Sequence, residues 1–193
     1  MDRNVVNLIA KIRALESELE EELARRRKEL KFSIENRKVH FEEEIVAEHR
    51  RLKTSLLTYL ARSELKHLLV APIVYSLIFP FLLLDLFVTL YQAACFPVFG
   101  IPKVKRTEYF VYDRHNLAYL NAIEKLNCLY CSYGNGLLAY VHEIAGRTEQ
   151  YWCPIKHARR IQGSHSHYPK FTDFGDAEKY LESLEKLRRD FEE

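Results

Sequence analysis

The amino-terminal third of the chain places apolar side chains at steps of three and four. Val5, Leu8, Ile12, Leu15 and Leu19 form a heptad seam. A four-residue step to Leu23 reads as a stutter, which unwinds a supercoil locally without ending it. The pattern resumes at Leu30, Ile34, Phe41, Ile45, Leu52, Leu56 and Leu60, with mostly Glu, Lys and Arg between. The first Pro is Pro72 and the first Gly is Gly100, so no breaker interrupts it. The pattern predicts one charged helix over 3–66, roughly 90 Å long at 1.5 Å per residue. Its stripe is too narrow for a globular core. It calls for a coiled coil, with a second copy or a partner protein, or else for a solvated helix held by i,i+4 charge pairs.

Residues 67–102 break this pattern. The run HLLVAPIVYSLIFPFLLLDLFVTLYQAACFPVFGIP holds one acidic group, Asp85, and no basic one beyond His67 at its edge. It exceeds the ~18 apolar residues that mark a bilayer span. Two arrangements fit a bilayer: one tilted helix that crosses once, kinked at Pro80 and ended by Pro97 and Gly100, or a re-entrant segment that turns near Pro80; a buried core helix of a soluble protein is the third option. Basic residues flank both ends, with Arg62 and Lys66 before and Lys103, Lys105 and Arg106 after. That symmetry gives a crossing helix no orientation and suits re-entry, whereas a non-helical turn in lipid needs cover. An ionisable group in mid-bilayer needs a partner, so Asp85 is either a proton-handling carboxylate or a helix contact.

Residues 103–193 read as a small helical domain. Glu108 to Tyr112 resembles a short strand. A helix is expected from about Asn116 to Tyr133, a turn at Gly134-Asn135-Gly136, and a second helix ending at Gly146. A last helix begins after Asp176 as N-cap, with Tyr180, Leu181, Leu184, Leu187 and Phe191 as its apolar face. The expected fold class is therefore mainly α, in three parts: a coiled-coil helix (1–66), a membrane segment (67–102) and a cytosolic helical Cys/His domain (103–193).

Charge narrows the partners. Lys and Arg total 29 against 27 Asp and Glu, a balance that argues against a nucleic-acid binder. The basic run Arg25 to Lys28 is flanked by Glu20, Glu21, Glu22 and Glu29 and reads as a solvated face. The opening residues have no apolar signal region, which predicts a cytosolic amino terminus and reduced cysteines.

Cys128-x-x-Cys131 and Cys153-Pro-x-x-His157 have the look of two half-sites for a tetrahedral Zn2+. Joining them requires the chain to break at Gly146 and fold back. His165 and His167 are spare ligands. The same cysteines also suit small buried apolar positions. A competing pattern places Asn121, Glu124, Cys128 and Cys131 on one helix face. His142, Glu149 and Cys153 share another if the helix runs through Gly146. On that pattern Asp85, His142 and Glu149 are the candidate catalytic groups, with Glu143 or His157 as further acids or bases. Arg147, Arg159 and Arg160 are candidate phosphate contacts.

The stretches FPVFGIPKVKR, DRHNLAYLNAIEKLNCLYCSYGNG, RTEQYWCPIKHARR and FGDAEKY, between Pro97 and about Tyr180, resemble a family of bacterial, mainly proteobacterial, membrane-associated proteins. The resemblance implies a bacterial membrane context and no particular reaction. Three functions are open at this point. One is an adaptor or assembly factor held at the inner membrane, both termini cytoplasmic, with a zinc-stabilised domain. The second is a membrane-embedded enzyme acting on a lipid or lipid-linked substrate. The third is a metal or thiol sensor.

Overall fold

The computed structural model describes residues 3–35 and 38–191. The chain is mainly helical and divides into two compact units. One comprises residues 1–61 with 113–125; the other comprises 62–112 with 126–193.

In the first unit the expected long helix is interrupted. Helix α1 spans Arg3–Glu29, and strands β1 (Phe32–Glu35) and β2 (Lys38–Phe41) follow, then α2 (Glu43–Arg51) and α3 (Leu56–Arg62). Lys31 adopts φ 51°, a left-handed conformation that ends a helix. Beyond it the side chains follow period two. Phe32 pairs with Phe41 and Ile34 with Val39 across an antiparallel hairpin. Ile34 and Phe41, read above as heptad positions, are strand residues on one face, and the Phe32 and Phe41 rings lie 5.4 Å apart. β-Branched and aromatic residues fit a pleated surface better than a helix, and here packing overrides the heptad spacing. The seam on α1 survives as far as Leu23, with Leu8, Ile12, Leu15 and Leu19 exposed.

The second unit is built on helices α4 (Leu65–Ser76) and α5 (Ile78–Phe99). Pro80 cannot donate to the Ser76 carbonyl, which accounts for the break between them. Leu77 keeps φ −62° and ψ −13°, so the chain stays right-handed and does not turn back at Pro80. Leu65–Phe99 acts as one helix of 35 residues, long and apolar enough to cross a membrane. It ends in a Schellman motif: Gly100 sits at φ 69°, the Ile101 N–H donates to the Phe96 carbonyl at 2.9 Å, and both side chains enter the core.

The chain then doubles back. The Gln92 carboxamide grips the Val104 peptide, accepting from its N–H at 2.6 Å, and donates to the Tyr140 hydroxyl at 2.8 Å. Of residues 108–112, expected as a short strand, Glu108 and Tyr109 close the short helix α6 (Arg106–Tyr109), and 110–112 form no strand. Helix α7 (Ala122–Trp152) follows. It is one helix of 31 residues, with neither a turn at Gly134–Gly136 nor a stop at Gly146. Asn121 and Glu124, assigned above to an active-site face, instead make its capping box. The Glu124 N–H donates to Asn121 Oδ1 at 3.1 Å, and the Asn121 N–H donates to Glu124 Oε2 at 2.8 Å.

The α7 glycines are packing seats. A Cβ at Gly134 would lie 3.0 Å from the Phe81 ring, at Gly136 2.9 Å from the Tyr109 carbonyl, and at Gly146 2.6 Å from His165 Cγ. Each lets a neighbour approach closer than a side chain allows, which repays the helix-propensity cost of ~1 kcal/mol per glycine. Helices α4–α5 and α7 run parallel. Tyr75 bonds Asn127, Tyr130 donates to the Val74 carbonyl at 2.7 Å, Phe81 lies on Gly134, Tyr91 meets Thr148 at 3.1 Å and Phe99 packs on Tyr151. Phe96, Ile101, Val104, Leu137, Tyr140, Ile144 and Phe191 fill the core between them.

Helix α8 (Ala177–Leu187) starts where expected, with Asp176 accepting from the Lys179 N–H at 3.1 Å. Leu187 and Phe191 are buried, whereas Leu181 faces outward. Gln150 anchors this end by donating to the Leu187 carbonyl at 2.8 Å.

Candidate functional site

Asp85 has partners within its own unit. Arg106, on the returning chain, makes a two-pronged ion pair with it, one arm at 2.6 Å. The Tyr133 hydroxyl donates to it at 2.9 Å and Thr89 at 3.3 Å. The Arg106 guanidinium stacks 4.0 Å over the Phe110 ring. The Asp85 side chain is 14% exposed and Arg106 42%, so the pair is sheltered without being sealed. The hydrogen bonds that Arg106 donates to the Asp85 carboxylate push the Arg106 pKa up. Burial, then the same carboxylate, pushes Tyr133 up to about 12, which keeps its phenol protonated and donating. Arg106 was read above only as a flanking charge. The signal that finds it is simple: an acid alone in an apolar helix requires a cation within reach.

A second polar cluster lies under the carboxyl half of α7. Glu143 accepts from Arg147 Nε at 2.7 Å, one turn on, and from His167 Nε2 at 2.9 Å. All three are buried. The His167 hydrogen bond, assisted by Arg147 and opposed by burial, holds Glu143 down at about 2. Glu149 accepts from His165 Nε2 at 2.9 Å. Burial lowers the His165 pKa against the opposing pull of Glu149, so the ring is a neutral donor. Its Nδ1 is buried without a hydrogen bond, pressed against Gly146. His142 donates to the Gly163 carbonyl at 2.9 Å. His165 and His167, taken above as spare ligands, thus bind the 163–171 loop to the helix. Their i,i+2 spacing on a loop gives no sign of which carboxylates they meet.

The proposed zinc ligands are not brought together. Cys128 and Cys131 lie on the first half of α7, and Cys153 follows its last residue. A helix unbroken at Gly146 separates Cys131 from Cys153 by roughly 33 Å. Cys131 and Cys153 are exposed, Cys95 and Cys128 half-buried. His157 stacks on Tyr168, whose hydroxyl accepts from its backbone N–H at 2.7 Å. Among the described residues no three His, Cys, Asp or Glu side chains are placed to hold a metal ion.

Two hollows remain. In the first unit a cavity of about 360 Å³ is lined by Leu30, Phe32, Val39, Phe41, His49 and Tyr119, and no predicted site residue lines it. In the second, a groove of about 510 Å³ between α5 and α7 is lined by Val88, Tyr91, Val141, Ile144 and Trp152 together with Glu149 and Cys153.

The chain is thus a mainly helical protein with, among the described residues, one helix long and apolar enough to cross a membrane, in which the candidate acids are held in ion pairs and hydrogen bonds. Comparison with family models, curated proteins and solved structures finds no match.

Proposed function

We propose that this protein is a non-enzymatic adaptor or assembly factor, held at a membrane by α4 and α5 and recruiting through the seam of α1. The observation that carries the reading is the bare apolar surface of Leu65–Phe99, whose most apolar stretch has none of its residues buried. Water-exposed surface of that composition needs lipid or protein to cover it. Two further observations support the reading. The α1 seam is exposed from Leu8 to Leu23. Asp85 and Glu143, named as possible acids or bases, are each saturated by two or more donors, which opposes proton transfer from a substrate. The inner membrane of a bacterium, with both termini cytoplasmic, is the setting that suits basic residues on both sides of the apolar run.

The test separates anchor from recruiter. The full chain should float with lipid vesicles, and membrane-extracted protein should carry a self- or partner complex that cross-linking captures. Leu8→Lys with Leu15→Lys should leave flotation intact and abolish the complex. A chain that stays soluble and monomeric without detergent overturns the anchor; a monomer in both forms overturns the recruiter.

One observation favours a second reading, a lipid-modifying enzyme. Glu149, which accepts from His165, lines the apolar groove together with Cys153. Loss of in vivo function in Glu149→Gln with folding and flotation intact supports it, and full function in that variant rules it out.

A further inference from the structure

We infer that the α4–α5 helix lies in the plane of one membrane surface, its outward face sunk among lipid acyl chains of anionic-lipid-containing bilayers, and does not cross. This rests on the membrane-anchor reading above and specifies its geometry. Three observations carry it.

The first is the company the helix keeps. Helix α7 runs beside it from Tyr75 to Phe99, and the returning chain lies along the second half of α5 through Val104 on Gln92 and Arg106 on Asp85. These neighbours carry Lys105 and Glu108, with side chains 77% and 50% exposed, and the Glu143–Arg147 pair. A crossing α5 would take Lys105 and Glu108 into the hydrocarbon beside Asp85, where charged side chains are costly. A helix lying flat leaves them in water.

The second is the opposite face. Leu69, Ile73, Leu83, Phe87, Leu90 and Val98 point away from the α7 contacts, and each is more than half exposed. They form one apolar stripe roughly 44 Å long. Ser76, the hydroxyl within that stripe, donates to the Ile73 carbonyl at 2.7 Å and so needs no water. The layout is that of an interfacial helix, with the polar side supplied by the packed α7 and returning chain in place of the helix's own residues.

The third is charge. Lys66 stands before the stripe, and Lys103 and Lys105 after it. A crossing helix carries its basic excess on one side, whereas a helix with both ends in the same water layer has no reason to. Basic residues at both ends of the stripe also match the negative surface of an anionic bilayer.

The native protein, added to sealed preformed vesicles of phosphatidylcholine with a minor fraction of phosphatidylglycerol, provides the test. A membrane-impermeant amine reagent followed by mass spectrometry should modify Lys66 and Lys103 to similar extents from outside. Protection of one of them that is lost on detergent lysis overturns the inference. Single-cysteine chains, with the four native cysteines replaced by Ser and helix content checked by circular dichroism, carry a fluorophore at Leu69→Cys, Phe87→Cys or Val98→Cys. Quenching by depth-graded spin-labelled lipids should place all three at one shallow depth. A deep Phe87 between shallow ends means re-entry, and a graded series through the bilayer means crossing; either overturns it. Leu83→Lys with Phe87→Lys should weaken vesicle binding about a hundredfold, because two apolar side chains leave the acyl layer. Failure of the native protein to bind vesicles sinks the anchor reading itself and is thereby distinct from a failure of geometry.

Discussion

Gly146→Ala tests the central feature of the fold, a helix that runs through its glycines. The added Cβ would lie 2.6 Å from His165 Cγ and 2.8 Å from Nδ1, about 1 Å inside ordinary contact. An aromatic ring cannot bend out of the way, so His165 must shift and release Glu149, now at 2.9 Å. Overpacking of this kind costs ~1–3 kcal/mol, and loss of a hydrogen bond to a charged acceptor ~1.5–3 kcal/mol. Ala returns up to ~1 kcal/mol of helix propensity. The expected net loss is about 2–3 kcal/mol. In a His165→Ala background the clash is absent and the same substitution should stabilise by about 0.5–1 kcal/mol. The cycle therefore carries a coupling of about 3 kcal/mol, measurable from urea midpoints followed by far-ultraviolet circular dichroism. A helix that instead ended at Gly146 would lose similar stability in both backgrounds. Additive effects, or a neutral single variant, would refute the packing-seat argument.

Acid unfolding should report Glu143. Its pKa lies at about 2 in the folded chain against the usual 4.5, so its contribution is complete above about pH 4.5 and lost as pH falls toward 2. At most about 3 kcal/mol is at stake, and Glu143→Gln should flatten that limb of the stability curve; an unchanged curve contradicts the assignment. Asp85→Ala should destabilise more than Asp85→Ala combined with Arg106→Met, because the single change strands a guanidinium stacked on Phe110; thermal melts of the three chains decide it. Alkaline spectrophotometric titration should show one tyrosine ionising near 12, absent in Tyr133→Phe. Chelator treatment should leave the melting temperature unchanged, since α7 holds Cys131 and Cys153 far apart; a metal-dependent melt would mean that the helix breaks.

Local chemistry determined several elements without help. Asp176 caps α8 because a side-chain acceptor before an amphipathic run can do little else. The apolar run marked out Leu65–Phe99 to within a few residues, since no other part of the chain of that length has so few charged side chains, Asp85 being the one acid within it. Helical periodicity, with no Pro before Pro72 and no Gly before Gly100, placed the protein among mainly helical ones. Tertiary structure decided the rest. A glycine in a helical pattern is equally a turn or a seat for a neighbour, and only Phe81, Tyr109 and His165 settle which. The seven-residue spacing of Ile34 and Phe41 suited a heptad until Val39 and Phe32 paired across from them. The cation that pairs with Asp85 stands 21 residues away, and the histidines that meet Glu143 and Glu149 arrive on a loop. Periodicity reports what one element presents along its own axis. Which side chains meet across elements depends on how the chain returns, and that is settled by close packing and by the need of each buried charge for a partner.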